Sequence, residues 1–364
     1  MSKDSLAAAA RHAGEYVALR AVAGLVHAFS VDQNLRTAAA LGSVYHRLSP
    51  RRAGRARQNV AAAFPEWPEA RIRQVAEASV QNMFQLFLVE SVAMPQLLNP
   101  RSWPRYVRFG DVAPIMRLLL SGKPALFITG HCGNWELLGF VLALLGFPMT
   151  ALARPIDNPW VDRWLLTMRE ARGLRVLTKW GAVNEVQRLI EQGQRVGFIA
   201  DQNAGEDGLF VPFFGRLASS YKSIGLLAQR YRLPVVVGLA RRDQGVFRYS
   251  LESVDIFGPD DWEPQPDPLF YITARFNRGI ETAVRAAPEQ YLWLHRRWKS
   301  RPRFEREGRP FPAALRTKLE QLPWMTPAEL ARIEAASSPG GHAPADLAGA
   351  APAAGAAPAA GAAP

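Results

Sequence analysis

The sequence predicts an α/β protein in which a helical N-terminal section precedes an α/β sandwich with a mixed, mostly parallel sheet. Two observations lead to this prediction. Up to about residue 110, apolar residues recur three and four positions apart, which is the spacing of amphipathic helices. From residue 123 onward, short apolar runs alternate with helical segments, which is the pattern of strands connected by helices.

The N-terminal section contains three predicted helices, at residues 5–31, 35–48 and 71–94. The longest uncharged run of the first helix has 11 residues, whereas a membrane-spanning helix needs about 20. Two interpretations stay open for this helix: it packs in the core, or it lies in a membrane interface. The Arg-rich segment 51–57 is either solvated surface or a contact with lipid head groups.

Strands and helices alternate after residue 123. The predicted helices cover residues 134–146, 157–173, 181–193 and 223–232. The predicted strands are 124–129, 150–154, 174–177 and 195–201, with a pair near one sheet edge at 233–241 and 247–254.

The composition is that of a globular protein with an anionic partner. The chain has 364 residues, 48% of them hydrophobic, and a net charge of +12. Its basic residues are mostly Arg, which suits a membrane surface, a phosphorylated lipid, an acidic carrier protein or nucleic acid. Cys132 is the single cysteine, so no intrachain disulfide forms. The six His residues are scattered along the sequence, and we therefore expect neither a metal site nor a cofactor.

The stretch GHCGNWE at residues 130–136 carries the candidate chemistry, because it follows a buried strand and opens a helix. If His131 lies in the turn, Glu136 in the first helical turn can accept a hydrogen bond from one imidazole nitrogen. The other nitrogen is then free to act as a general base. The alternative is a histidine at a helix end beside an unrelated glutamate. A Cys132–His131 nucleophile is disfavoured because adjacent side chains rarely face each other.

Polar residues also follow other predicted strands. Arg154 ends one strand and Asp201 follows another. Because ligands of open α/β sheets bind beyond the carboxyl ends of the strands, we expect both residues to share a cleft with His131. Basic and aromatic residues alternate at 290–302, either as a phosphate- or carrier-facing element or as a structural segment. No nucleic-acid-binding fold signature accompanies them, so we expect no nucleic acid partner.

These patterns divide the chain into four parts. Residues 1–110 are predicted to form membrane-facing helices, and residues 111–312 the α/β core. Two short helices are expected at 313–336, because Pro323 and Pro327 would interrupt a single one. Residues 337–364 repeat Ala, Pro and Gly and are expected to be a disordered tail.

The blocks GHCGNWE, RPIDNP, ADQNAGEDGLFVPFFG and WLHRRWKSRP resemble, in order and spacing, the motifs of the lipid A late acyltransferases. This lauroyl/myristoyl transferase family lies within the His-x4-Asp/Glu glycerolipid acyltransferases, and the resemblance covers roughly residues 10–310. One departure is Asn203, where an acidic residue is frequent. The resemblance implies His131 and Glu136 as catalytic residues. The substrate-binding residues expected from these blocks are Asn134, Arg154, Asn158, Asp201, Gln202, Phe214, Gly215, Arg297 and Lys299.

The resemblance also implies the partners. An acyl carrier protein thioester would be the donor, and a hydroxyl or hydroxyacyl chain of a phosphorylated glucosamine lipid the acceptor. An alternative with the same chemistry is acyl-CoA-dependent acylation of a glycerophospholipid or a glycosylated phosphatidylinositol. We expect a peripheral or monotopic protein on the cytoplasmic face of the inner membrane, since its apolar helix is too short to span.

Overall fold

The computed structural model describes residues 3–153, 155–178 and 182–338. Arg154 lies outside these ranges, as does the expected tail from residue 339 onward.

The N-terminal section is helical, as expected. The predicted helix at 71–94 is broken into two helices by one turn of π-helix, Leu86–Glu90. The Arg-rich segment 51–57 lies inside a helix of its own, which begins with Pro50 and had not been predicted. The helices of this section are α1 (Lys3–Ala28), α2 (Val31–Leu48), α3 (Pro50–Ala63), α4 (Glu69–Gln85), α5 (Ser91–Leu97) and α6 (Trp103–Tyr106).

The described residues that follow form a seven-stranded sheet and a separate hairpin. The strands are β1 (Val107–Phe109), β2 (Leu126–Thr129), β3 (Met149–Ala153), β4 (Arg175–Thr178), β5 (Arg195–Ile199), β6 (Leu209–Phe213), β7 (Arg216–Ser220), β8 (Val235–Arg242) and β9 (Tyr249–Phe257). The helices are α7 (Ala113–Leu120), α8 (Trp135–Leu144), α9 (Pro159–Glu170), α10 (Ala182–Glu191), α11 (Lys222–Tyr231), α12 (Pro259–Trp262), α13 (Pro268–Ala286), α14 (Arg303–Arg306), α15 (Ala313–Glu320) and α16 (Pro327–Ala336).

The order of the large sheet is β1-β9-β8-β2-β5-β3-β4. Its neighbouring strands are parallel except for β8 and β9, which pair antiparallel. The prediction of a mixed, mostly parallel sheet is therefore confirmed. The sequence prediction missed β1 at the edge and the β6–β7 hairpin.

Side chains that alternate along the strands build apolar clusters on both faces of the sheet. On β2, Leu126 and Ile128 join a large cluster with α13, α11, α3 and α4. Phe127 points to the other face and packs with Leu142 of α8 and Leu119 of α7. The sheet thus has helices on both faces, and α8 covers the face that carries Phe127.

The C-terminal helices belong to the same core. Leu319 of α15 and Ile333 of α16 are buried in the large cluster, and the guanidinium of Arg332 donates to the carbonyls of Ala62 and Ala63 at the end of α3. Apolar packing therefore continues from α3 through the sheet to α16. The four-part division of the chain stays a prediction.

Apolar side chains are exposed on the first two helices. Leu25 of α1 is 61% exposed, and Phe29, which directly follows α1, is 55% exposed. Leu48 at the end of α2 is 77% exposed. In residues 3–153, 155–178 and 182–338, the structure contains no helix whose length and apolarity would let it cross a bilayer.

Candidate active site

His131 and Asp201 meet because their strands are neighbours in the sheet. The parallel register of β2 and β5 places Thr129 opposite Ile199, and each of the two site residues follows its strand by two positions. The N–H of Ala200 donates to the carbonyl of Thr129 at 2.9 Å and extends the pairing up to the site. The carboxyl ends of two central strands thus present a histidine and a carboxylate side by side.

The carboxylate of Asp201 binds His131 twice. Its Oδ1 lies 2.7 Å from the imidazole Nδ1, and its Oδ2 accepts the backbone N–H of His131 at 2.9 Å. Burial alone would raise the pKa of Asp201, but the charge of His131 and both hydrogen bonds hold that pKa well below its usual range. Asp201 is therefore a buried carboxylate that fixes the imidazole, and the Nε2 of His131 is left for a substrate.

Two glycines allow this turn. A Cβ on Gly130 would lie 2.6 Å from Ile280 and 3.3 Å from the Asp201 carboxylate. Gly133 has a φ of +63°, and a Cβ there would lie 2.1 Å from the carbonyl oxygen of Ala240. The backbone can therefore approach both neighbours only where no side chain intervenes.

The prediction that Glu136 accepts a hydrogen bond from the His131 imidazole is wrong. Asp201 occupies Nδ1 of His131, and the Glu136 carboxylate forms a bidentate ion pair with Arg169 of α9. The Nε of Arg169 lies 2.8 Å from Oε2 of Glu136, and its Nη2 lies 2.6 Å from Oε1. The catalytic role of Glu136 stays a prediction, but any such role includes Arg169, which sequence reasoning missed.

An apolar cavity of about 580 Å³ opens beside this ion pair. It lies between α8, α7 and the sheet face that carries Phe127, and both Glu136 and Arg169 line it. Trp135 lines the cavity and also contacts the His131 ring, with centroids 4.8 Å apart. The strands contribute small residues to this wall, namely Ala151, Ala153, Gly197 and Gly238.

Asn134 supports the turn from within the protein. Its side-chain oxygen caps α8 by accepting the N–H of Leu137 at 2.9 Å, and its amide donates to Glu90 at 2.8 Å. Glu90 comes from the π-helical turn and pairs with Arg242 at 2.7 Å. Both the oxygen and the nitrogen of the Asn134 side chain thus form hydrogen bonds inside the fold, and its substrate contact stays a prediction.

Asn158 and Arg297 are also held by the fold. Asn158 caps α9 and donates to the carbonyl of His12 and to the carboxylate of Glu15, at 2.8 and 2.9 Å, so that it fastens α1 to α9. The buried guanidinium of Arg297 donates to the hydroxyl of Ser220 and to the side-chain oxygen of Asn277, at 2.7 and 2.9 Å. These hydrogen bonds hold elements of the fold together, and the substrate contacts expected of both residues stay predictions.

The remaining predicted residues are spread over the surface and the core. Phe214 and Gly215 form the turn between β6 and β7, where Phe214 is buried and its N–H donates to Glu281 at 2.6 Å. Gln202 and Lys299 are exposed. Their substrate contacts, like that of Arg154 outside the described ranges, stay predictions.

Two further side chains lie near the His131–Asp201 pair. Cys132 is buried, and burial together with the charge of Asp201 raises the pKa of its thiol, so it is no nucleophile. The ring of His295 lies 4.6 Å from that of His131, although the six histidines are scattered in the sequence. The only sequence signal for this contact is the position of His295 in the basic, aromatic block 290–302. In the described ranges, no group of three or more His, Cys, Asp or Glu residues could hold a metal ion.

Known proteins resemble this chain over most of its length. The bacterial lipid A biosynthesis acyltransferase family matches residues 7–300. A lipid A biosynthesis lauroyltransferase of Escherichia coli strain K12 is 28% identical over 276 residues, which is 73% of this chain and 85% of the relative. A lipid A biosynthesis acyltransferase of Haemophilus influenzae is 24% identical over 243 residues, 66% of this chain and 73% of the relative.

A lipid A biosynthesis myristoyltransferase of Escherichia coli strain K12 is 24% identical over 271 residues, covering 72% of this chain and 80% of its own length. The family match extends across the helical section and the whole sheet. The protein therefore belongs to the bacterial lipid A biosynthesis acyltransferase family and is an O-acyltransferase.

Proposed function

We propose that this acyltransferase moves a fatty acyl chain from an acyl carrier protein thioester to a hydroxyl, or to a hydroxyacyl chain, of a lipid A precursor. The observation that carries this proposal is that Trp135 contacts the His131 imidazole, which Asp201 holds, and also lines the large apolar cavity. A base beside a cavity that accepts a hydrocarbon chain is what direct acyl transfer to a hydroxyl requires.

In the proposed chemistry, His131 takes a proton from the acceptor hydroxyl and later returns it to the leaving group. Asp201 accepts the Nδ1–H of His131, so that Nε2 carries a lone pair and takes the proton of the acceptor hydroxyl. The acceptor oxygen then forms a bond to the thioester carbonyl carbon, and the carbonyl oxygen becomes negatively charged. When this intermediate collapses, the carbon–sulfur bond breaks and the imidazolium returns its proton to the leaving sulfur. Asp201 stabilises the imidazolium in between.

The cavity would hold the acyl chain of the donor. Its volume of about 580 Å³ lies within the range of small-molecule sites, and its lining is almost entirely apolar. The ion pair of Glu136 with Arg169 is a polar feature of that lining, and we assign it to the head of the acyl thioester. Arg169 would then orient the thioester, and Glu136 would hold the guanidinium in place.

The choice of substrates can be tested with purified protein. We expect transfer from acyl-acyl-carrier-protein to a lipid A precursor, measured by mass spectrometry as the mass that the acceptor gains. Acyl-CoA and a lysophospholipid are measured in parallel, because the same site chemistry serves the alternative acyl-CoA-dependent reaction. Faster acylation of the lysophospholipid would refute the proposed acceptor, and a preference for acyl-CoA would refute the proposed donor.

We further propose that the protein works as a peripheral or monotopic protein on the cytoplasmic face of the inner membrane. The exposed apolar residues of α1 and α2 lie in the same section as the Arg-rich segment 51–57. Apolar insertion and attraction to anionic lipid would add together, and salt would weaken only the second.

Because Asn158 fastens α1 to α9, deleting α1 would also disturb the core, so point variants are the better test. Leu25→Glu and Phe29→Glu change exposed side chains only. We expect both variants to fold and to bind vesicles containing anionic lipid more weakly than wild type does. Unchanged vesicle binding of a variant carrying both substitutions would contradict the proposed anchor.

A further inference from the structure

His295 contacts the catalytic base. Its ring centroid lies 4.6 Å from that of His131, and the two ring planes are inclined by 52°. The second aromatic neighbour of His131 is Trp135, at 4.8 Å and 69°. A histidine this close to the base either fills space or takes part in the reaction. The hydrogen bonds of its backbone and of its ring distinguish these two roles.

The backbone around His295 is firmly held. Leu292 donates its N–H to the carbonyl of His131 at 2.9 Å, which joins the two segments directly. The carbonyl of His295 accepts a hydrogen bond of 2.8 Å from the side chain of Asn59 on α3, which also binds the carbonyl of Trp293 at 2.7 Å. The position of His295 beside the base is therefore fixed by contacts that do not involve its ring.

One nitrogen of the ring lacks a hydrogen-bond partner. Its Nε2 is buried and accepts or donates no hydrogen bond within the described part of the chain. A buried polar atom without a partner loses its hydrogen bonds to water and gains none in the protein, which destabilises the folded state. Such atoms in folded proteins therefore need a specific explanation. A phenylalanine or leucine would fill the same space without this cost, so packing alone does not explain a histidine here.

We propose that His295 is a further catalytic residue, and that its Nε2–H donates a hydrogen bond to the thioester carbonyl oxygen as negative charge develops there. This role rests on the acyl transfer proposed above, in which that oxygen becomes an anion beside His131. A donor held in place before the reaction needs no reorganisation when the charge appears. Because the two ring centroids lie 4.6 Å apart, an acyl carbonyl that reaches the base also comes close to the His295 ring.

The protonation of His295 suits a neutral donor. Burial, reinforced by the charge of His131 and only partly opposed by Asp201, lowers its pKa to about 4. His295 therefore stays uncharged while His131 takes up the acceptor proton, and it competes neither for that proton nor for the Asp201 carboxylate.

The test compares substitutions that keep or remove the donor. His295→Phe keeps a ring but no nitrogen, His295→Leu is a smaller substitution without nitrogen, and His295→Gln carries an amide N–H near the position of Nε2. The kcat, KM and melting temperature of each variant are measured with the acyl thioester that wild type uses best, and His131→Ala is measured in the same assay.

Loss of one oxyanion donor typically lowers kcat about 10²–10³-fold. We expect this loss in His295→Phe and His295→Leu, with little change in KM, and recovery of most of the rate in His295→Gln. A folded Phe or Leu variant within about threefold of the wild-type kcat would overturn the proposal, as would a folded Gln variant as slow as these two. An active His131→Ala would instead refute the proposed base, so the two failures are distinguishable.

Discussion

The Oδ1 atom of Asp201 lies 2.7 Å from the Nδ1 atom of His131, and the other carboxylate oxygen accepts the backbone N–H of the same histidine. A buried carboxylate held in this way sets the tautomer of the imidazole and the direction of its free nitrogen. Because the two residues follow paired positions of β2 and β5, this arrangement is a consequence of the sheet register.

Replacing Asp201 by Asn should lower the rate of acyl transfer roughly 10²–10⁴-fold, because the amide can stabilise neither the tautomer nor the imidazolium. The rate is measured with saturating donor and acceptor. Asp207→Asn is the matched control, since Asp207 is an exposed aspartate of the same loop and should retain the wild-type rate. A folded Asp201→Asn variant with an undiminished rate would show that Asp201 does not serve the base.

Glu136→Gln and Arg169→Gln should each strongly reduce transfer, because either change leaves one member of a half-buried ion pair without its partner. Since the two side chains act together, the double variant should lose little more than the slower single variant. Steady-state kinetics of the three proteins check this coupling. Losses that simply add would mean that Glu136 acts independently of Arg169.

The small residues of the cavity wall should set the preferred acyl chain length. A Cβ on Gly238 meets its nearest neighbours at 3.7 Å, and one on Gly197 meets Met149 at 3.4 Å, so alanine fits at both positions and takes up cavity space. We expect Gly197→Ala and Gly238→Ala to shift kcat/KM toward shorter acyl thioesters. Gly54→Ala, in an open position on α3, is the control. Unchanged chain-length profiles in both cavity variants would show that the chain binds elsewhere.

His295 should make the protein less stable in mild acid. Its pKa is about 4 in the folded chain and 6.5 when unperturbed, so between these values the unfolded state binds a proton that the folded state does not. The free energy of unfolding should therefore fall as the pH drops from 6.5 to 4, by about 3 kcal/mol at most. Urea unfolding at several pH values should show a shallower decline for His295→Phe. Equal slopes for both proteins would contradict this.

The strands at 124–129, 150–154 and 195–201 could be predicted because parallel strands buried on both faces are continuous apolar runs bounded by polar residues. The sequence prediction missed the β6–β7 hairpin because Pro212 and the turn at Gly215 are typical of a loop. The π-helical turn escaped as well, since the apolar spacing of residues 86–90 fits an uninterrupted helix.

At the site, sequence reasoning expected Glu136 to bind the His131 imidazole, whereas in the structure Asp201 does so. Glu136 is near in sequence, whereas Asp201 becomes a neighbour only through the pairing of β2 with β5. The contact of His131 with His295 depends on a longer connection through α13. The substrate contacts expected of Asn134, Asn158 and Arg297 stay predictions, and the hydrogen bonds that these side chains form within the fold gave no signal in the sequence.

The lipid A of cells with and without this gene, compared by mass spectrometry, tests the central claim most directly. Wild-type protein should add the mass of one acyl chain to lipid A of the deletion strain, and His131→Ala and Asp201→Asn proteins at equal abundance should not. Lipid A of unchanged mass in the deletion strain, or full restoration by the Asp201→Asn protein, would contradict the account.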